Sequence, residues 1–305
     1  MEINLVRQKY PGIRRTHMSI AIIYESEEWS NIYLRDYLMN KGFEVMFINF
    51  EEAVLNAAFF DSAGLIVNRI FPSSYFRGHL KTYYKSIDFF RELNERGVPM
   101  INSYEALLYD FDKQLVCKTL SENKINTPEI YCTTRDFSPD KIKYPCIVKP
   151  NSGGRSKYTI KVENGDELFE FLKTTPPIDF IFQEYIKSVD NFTLRIEVIK
   201  GEVFSAVKRS TDESGISSYH RGAIYENIYK LNEHIENMVI NTLKILNIKM
   251  GGIDVIVSSN GPYIIDVNAT SNFSKTFVDF LKKNPLDKMG DLIIEEYLKI
   301  NQAVS

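Results

Sequence analysis

Asp254, Asp266 and Asn268 are three oxygen-bearing residues whose spacing could hold a hard divalent cation. Residues 252–268 read as a β-hairpin. Ile253, Val255 and Val257 alternate with Gly252, Asp254 and Ile256; beyond Ser259, Asn260 and Gly261, the residues Tyr263, Ile265 and Val267 alternate with Ile264, Asp266 and Asn268. A three-residue loop wants glycine at its left-handed last position, which Gly261 supplies. That register sets Val255 opposite Ile265 and Ile253 opposite Val267, with the odd-numbered apolar residues on one face. Asp254 then falls directly opposite Asp266, and Asn268 points to the same side. A two-residue Asn260-Gly261 turn would instead separate the aspartates and mix the apolar set. Facing carboxylates repel unless a cation lies between them, and an all-oxygen donor set selects magnesium or manganese. The competing reading is a hairpin whose acids face water. Ile256 and Ile264, expected on the same face as the acids, argue against it.

A metal site of this kind usually serves a nucleotide, so phosphate-binding features matter next. Neither a Walker pattern nor a Gly-x-Gly-x-x-Gly fingerprint is present. Lys149, however, ends an apolar run that leads into Ser152, Gly153 and Gly154. A lysine leaving a strand beside a glycine-containing loop can place its ammonium on a phosphate while backbone N–H groups close over it. An ordinary hairpin turn would look similar. Gln183, Glu184, Tyr185 and Ile186 end another strand, either at an adenine edge or simply at the sheet's border. Arg195, Arg209 and Arg221 follow, with His220 beside the last. Arginine's planar fork suits phosphates and carboxylates.

The elements that must position these residues form two textures. Residues 18–24, 44–49, 64–68 and 98–101 read as short strands, with helices over 29–41 and 75–95. Strands alternating with helices predict a parallel sheet covered on both faces. From residue 111 onward, helices at 111–121, 166–173 and 231–246 interleave with strands at 145–150, 158–162, 180–185 and 193–208. The last of these turns at Lys200-Gly201. The fold class expected is therefore α/β, becoming α+β in the C-terminal part. We expect an N-terminal arm over 1–16, an α/β domain over 17–110, a small subdomain over 111–186, and a larger one over 187–305 carrying the metal site.

Composition excludes several classes. The 305 residues are 44% hydrophobic and 25% charged, ordinary for a soluble globular protein. A formal net charge of −3 argues against a dedicated nucleic-acid binder. No apolar run approaches the ~20 residues that span a bilayer, and no signal-peptide core is seen. Cys117, Cys132 and Cys146 form no close pair, which fits buried thiols in a reducing cytoplasm. A homo-oligomer is compatible with the sequence, though no interface stripe stands out.

Taken in order, these pieces resemble the ATP-grasp superfamily, and within it the RimK-like and lysine-biosynthesis-type amino-acid ligases. The resemblance rests on Asn102 to Ala106, Asp112-Lys113, Val148-Lys149, Gln183 to Ile186, Lys208-Arg209, His220 to Gly222, Gly252 to Asp254, and Asp266 to Asn268. It implies an ATP-grasp fold preceded by a parallel α/β domain. It implies that Lys113 and Lys149 contact ATP phosphates, with Ser152, Gly153 and Gly154 in the covering loop and Gln183, Glu184, Tyr185 and Ile186 at the adenine. It makes Asp254, Asp266 and Asn268 the magnesium ligands, and Arg209, Arg195 and Arg221 the contacts to the transferring phosphoryl group or the acceptor carboxylate. The family's acid near the ribose is Thr193 here, for which Asp190 is the candidate substitute. Residues 216–218 and 269–272 also depart from the family pattern, so the substrate cannot be copied from any one relative. The expected activity is formation of an amide from a carboxylate and an amine through an acyl phosphate, with ADP and phosphate released. The substrate would be an amino acid or the end of a peptide or carrier protein. The rival is a regulatory module of the same fold that holds ATP without turnover.

Overall fold

The computed structural model describes residues 19–217, 224–228 and 230–303. They fall into two compact units. One comprises the described residues up to Leu107 together with those from Thr270 onward, and the other runs from Leu108 to Ala269.

In the first unit, strands β1 (Ile20–Tyr24), β2 (Val45–Asn49), β3 (Leu65–Arg69) and β4 (Met100–Ile101) form a parallel sheet in the order β2-β1-β3-β4. Every residue of β1 and β3 is buried, as in a parallel sheet covered on both faces, and the two polar residues that end β3, Asn68 and Arg69, are hydrogen-bonded there. Helix α1 (Trp29–Asn40) stops at Gly42, whose φ is +86°. The Phe43 and Gly42 amides turn back onto the Leu38 and Met39 carbonyls, which satisfies the helix end. The single helix expected over 75–95 is instead a short 3-10 turn, Pro72–Arg77, followed by α2 (Leu80–Glu95). Gly78, at φ +83°, closes the first turn in a left-handed conformation that an α-helix cannot pass through.

The boundary between units lies within helix α3 (Tyr104–Phe111). The second unit opens with α4 (Lys113–Glu122) and two antiparallel sheets. Strands β5 (Ile130–Thr133), β6 (Cys146–Pro150), β7 (Ile160–Val162) and β8 (Phe180–Glu184) pair in the order β5-β8-β6-β7. With α5 (Gly165–Leu172) they enclose Cys132, Cys146, Val148, Val162, Leu168, Phe180 and Phe182. Strands β9 (Phe192–Ile199), β10 (Glu202–Ser210), β11 (Tyr225–Ile228), β12 (Met250–Ser258) and β13 (Gly261–Asn268) make the larger sheet, in the order β11-β10-β9-β12-β13. The β9–β10 turn at Lys200 and Gly201 has positive φ at both residues, the geometry that matches strand twist. Helix α6 (Glu233–Ile245) buries Ile235, Val239, Thr242 and Leu243.

One expectation about organisation is corrected. Residues from Thr270 onward, expected to continue the metal-bearing subdomain, belong to the first unit. After α7 (Lys275–Leu281), helix α8 (Pro285–Ala303) lies along α1. The Tyr33 and Tyr37 hydroxyls each donate to an α8 carboxylate, Asp287 and Asp291, at 2.7 Å. Gly290 leaves the space that the Tyr37 ring fills, where a Cβ would overlap it. Among the described residues no helix is long and apolar enough to cross a membrane.

Candidate active site

The hairpin is built as its alternation predicts around the acids and differently near its turn. Asp254 pairs with Asp266, Ile253 with Val267 and Gly252 with Asn268. Beyond Asp254 the register slips, so that Val255 faces Ile264 and Ser258 faces Gly261. Ile265 is the extra residue of a β-bulge, and the loop is two residues long rather than three. The slip changes which isoleucine accompanies the acids. Ile264 turns to the core face opposite Val255, where it is 1% exposed, while Ile256 and Ile265 line the cavity.

Strand β9 lies on the other side of β12, and the three strands carry two adjacent rungs on one face. Arg195, Asp254 and Asp266 form the first; Glu197, Gly252 and Asn268 form the second. Gly252 has no room for a side chain, because the Arg195 guanidinium lies where its Cβ would be. The Arg195 Nε donates to Glu197 at 2.6 Å and its Nη1 to Asp254 at 3.3 Å. From β10, paired with Thr193 of β9, Arg209 reaches the same Asp254 oxygen at 2.8 Å. Burial works against the Asp254 carboxylate, but Arg209 and Arg195 hold its pKa below the ordinary aspartate value. Burial likewise opposes the Arg195 charge, and Glu197 and Asp254 more than compensate.

Two lysines arrive from the smaller sheet and from α4. The Lys149 ammonium, at the end of β6, donates to the Ile265 carbonyl at 2.9 Å, the backbone oxygen exposed by the bulge. Burial lowers its pKa, opposed chiefly by Asp266. Lys113 opens α4, whose first turn is capped by Asp112 on the Leu115 amide and by Asn151 on the Gln114 amide. Asn151 also donates to Asp112 at 3.0 Å, so the loop after β6 and the start of α4 are tied together. Lys113 consequently stands 3.1 Å from the Gly153 carbonyl and 3.4 Å from Asp266.

These groups line a cavity of about 270 Å³. Of the residues singled out from sequence, the cavity brings together Lys113, Lys149, Gly153, Gly154, Gln183, Glu184, Tyr185, Ile186, Arg195, Arg209, Asp254, Asp266 and Asn268. The loop containing Gly153 and Gly154 does join two antiparallel strands, as an ordinary hairpin would, yet residues 153–157 all face the cavity. Its Arg155 and Ser156 adopt positive φ, a conformation seldom kept without a purpose. Strand β8 is interior, between β5 and β6, so Gln183 to Ile186 do not end a sheet border.

Two expected residues are not brought in. Ser152 is buried behind the loop and does not line the cavity. Asp190 is exposed and also lies off the cavity. Thr193 does line the cavity; it is 2% exposed, and its hydroxyl has no hydrogen-bond partner among the described residues. A turn before β9 carries Asp190 outward, whereas the alternation of β9 points Thr193 and Arg195 the same way. Arg221 and His220 lie outside the described residues. Sequence reading missed Glu197, although its position two residues from Arg195 placed it on the same strand face. The segment from Ser210 to Gly215, which the sequence offers as a cover for the site, brings Gly215 to the cavity at φ +78°, where a Cβ would overlap the Tyr185 hydroxyl.

The donor set fits a hard divalent cation. Asp266 offers a buried carboxylate oxygen whose ion pair with Lys113 is long, 3.4 Å, and Asn268 follows on the next rung of the face that carries Asp254. Among the described residues no three His, Cys, Asp or Glu side chains could hold a metal by themselves, so an asparagine must complete this set.

The sequence and the fold both have counterparts among known proteins. A family model described as a RimK-like ATP-grasp domain matches residues 111–288. The chain belongs to the RimK-like ATP-grasp family. It is 26% identical over 187 residues to a probable alpha-L-glutamate ligase of Pasteurella multocida, a match covering 59% of this chain and 59% of that relative. To a D-alanine–D-alanine ligase of Clostridium perfringens (strain SM101) it is 30% identical over 213 residues, 63% of this chain and 69% of the relative. Among solved structures, the D-alanine–D-alanine ligase of Bacillus anthracis superposes with a TM-score of 0.68 at 19% identity, covering 94% of this chain and all of that one. The ATP-grasp ligase PsnB with a minimal precursor gives 0.66 at 17%, covering 92% and 100%. The fold is thus the α/β ATP-grasp fold.

Proposed function

We propose that this chain is an ATP-dependent ligase that joins a carboxylate to an amine. The observation that carries the reading is the cavity in which Lys113, Lys149, Arg195 and Arg209 converge on the rungs holding Asp254, Asp266 and Asn268. Four cations around a three-oxygen metal set suit a triphosphate, and phosphoryl transfer depends mainly on positioning and charge neutralisation. Lys113 and Lys149 would hold the phosphates under the loop at Gly153 and Gly154, with Gln183, Glu184, Tyr185 and Ile186 around the base. Magnesium or manganese, held by Asp254, Asp266 and Asn268, would neutralise phosphate charge when bound.

In this reading a substrate carboxylate oxygen attacks the γ-phosphorus and the bond to the bridging oxygen breaks, releasing ADP. Arg209 and Arg195 face the transferring phosphoryl group. An amine then attacks the acyl carbon, phosphate leaves, and the nitrogen gives up a proton. The substrate class is an amino acid or the end of a peptide or carrier protein, and the free thiols Cys117, Cys132 and Cys146 accord with a reducing cytoplasm. Incubation of the protein with ATP, magnesium and pools of amino acids should release ADP in a pool-dependent manner and yield a new mass. Binding of ATP with no pool-dependent ADP would favour the regulatory module instead.

A further inference from the structure

The Asp254 carboxylate is claimed twice. As a metal ligand it must offer an oxygen to a cation, yet Arg209 and Arg195 both donate to its Oδ1, at 2.8 and 3.3 Å. Two guanidinium charges on one carboxylate would compete strongly with a metal there. Arg195, however, is shared. Its shorter bond, 2.6 Å, goes to Glu197, whose side chain is 5% exposed. Gly252, between Glu197 and Asn268 on the second rung, provides the space in which the guanidinium lies.

We propose that Glu197 is a positioning residue that draws Arg195 off Asp254, and so sets how tightly the adjacent oxygens bind a divalent cation with nucleotide. The inference rests on the ligase reading above. Three features of the structure support it. Glu197 does not line the cavity, so it acts only through what it holds. The Arg195 fork spans both rungs, and its longer contact is the one to Asp254. The alternation of β9 also puts Thr193, Arg195 and Glu197 on one face, with a neutral hydroxyl toward the cavity and the carboxylate behind the arginine. Placed there, the carboxylate offsets the Arg195 charge without occupying space that a ligand needs.

Removing the Glu197 charge has opposite effects on the two ligands, which a purely structural role would not produce. Arg195 falls back on Asp254 and the site becomes more positive, so cation affinity drops while the affinity for metal-free nucleotide holds or rises. The probes are manganese, read from the free-ion electron-spin-resonance signal with ADP present, and ADP alone in chelator, read by calorimetry. For Glu197→Gln in the full chain we expect manganese affinity to fall about tenfold or more, the scale of one unit charge at short range in a partly screened site. Metal-free ADP affinity should hold or rise. In an Arg195→Met background the same change should have no further effect on manganese. Unchanged manganese affinity, or a parallel loss of both affinities, overturns the proposal, as does a further drop in that background. Should Glu197→Gln not fold, Glu197→Asp takes its place, with a smaller drop expected and no change overturning the idea. Failure of the ligase reading would show separately, as a wild-type protein that binds no manganese with ADP.

Discussion

The Lys149 ammonium lies 2.9 Å from the carbonyl oxygen of Ile265, the residue of β13 that the hairpin register skips. The bulge removes that carbonyl from the β12 ladder and aims it at the end of β6, so a local irregularity in one sheet fixes a cation from the other. The arrangement holds a half-buried amine whose pKa is lowered by desolvation. Such a group gains most when an anion arrives. Lys149→Met keeps the stem and removes the charge. ADP formation should fall roughly a hundred- to a thousandfold, the cost of losing one electrostatic partner of a developing anion. Circular dichroism should show an intact fold, and turnover at the wild-type rate would remove Lys149 from the phosphate site.

How far this site was legible follows from the same hairpin. Around Asp254 the alternation of apolar and polar residues specifies the register, because any slip would bury a carboxylate. Near the turn it does not. Ile264 and Ile265 are adjacent and alike, so exchanging their faces changes nothing that a hydrophobic pattern can detect. The parallel sheet was legible because short apolar strands alternate with helical stretches through the first hundred residues. The docking of α8 on α1 was not, since it depends on the Tyr37 ring meeting Gly290 across most of the chain. Asp190 and Thr193 failed for a related reason: chemical type favoured the acid, whereas strand direction favoured the hydroxyl.

Asp266→Ala and Asn268→Ala test the oxygen set directly. Both side chains face the cavity rather than the core, so little of the fold depends on them. Asp266→Ala also frees Lys113, now 3.4 Å away. Each variant should lose ADP formation by about two to three orders of magnitude at ordinary magnesium, with melting temperature near that of the wild type. Full turnover by either at ordinary magnesium removes the metal assignment.

Gly252→Ala asks whether the space beneath Arg195 is required. A methyl group there would overlap the guanidinium, which is pinned between Glu197 and Asp254 and cannot swing away without breaking an ion pair. Overpacking of this kind costs about 1–3 kcal/mol. We expect a lower melting temperature together with weaker magnesium dependence of ADP formation, measured by denaturation and by magnesium titration. An alanine variant indistinguishable from wild type in both would mean that Arg195 has another place to go.

Cys146 supplies a pH test far from the cavity. It is fully buried in the core of the smaller sheet, and burial pushes its pKa up from 9.0 to about 12. In the unfolded chain the thiol ionises near its ordinary value, so between pH 9 and 12 the folded state binds the extra proton. Stability is therefore complete below about pH 9 and is lost above it, by ~1.4 kcal/mol per pH unit for one such group. Tyr131, partly buried and also raised to about 12, shifts in the same direction from a higher starting value. Chemical denaturation at intervals from pH 7 to 11 should show this decline, and Cys146→Ala should flatten its lower part. Thiol labelling at pH 8 should leave Cys146 unmodified until the protein is unfolded, because only the thiolate reacts. Rapid labelling of the native protein at Cys146 would show that the smaller sheet opens far more readily than its packing implies.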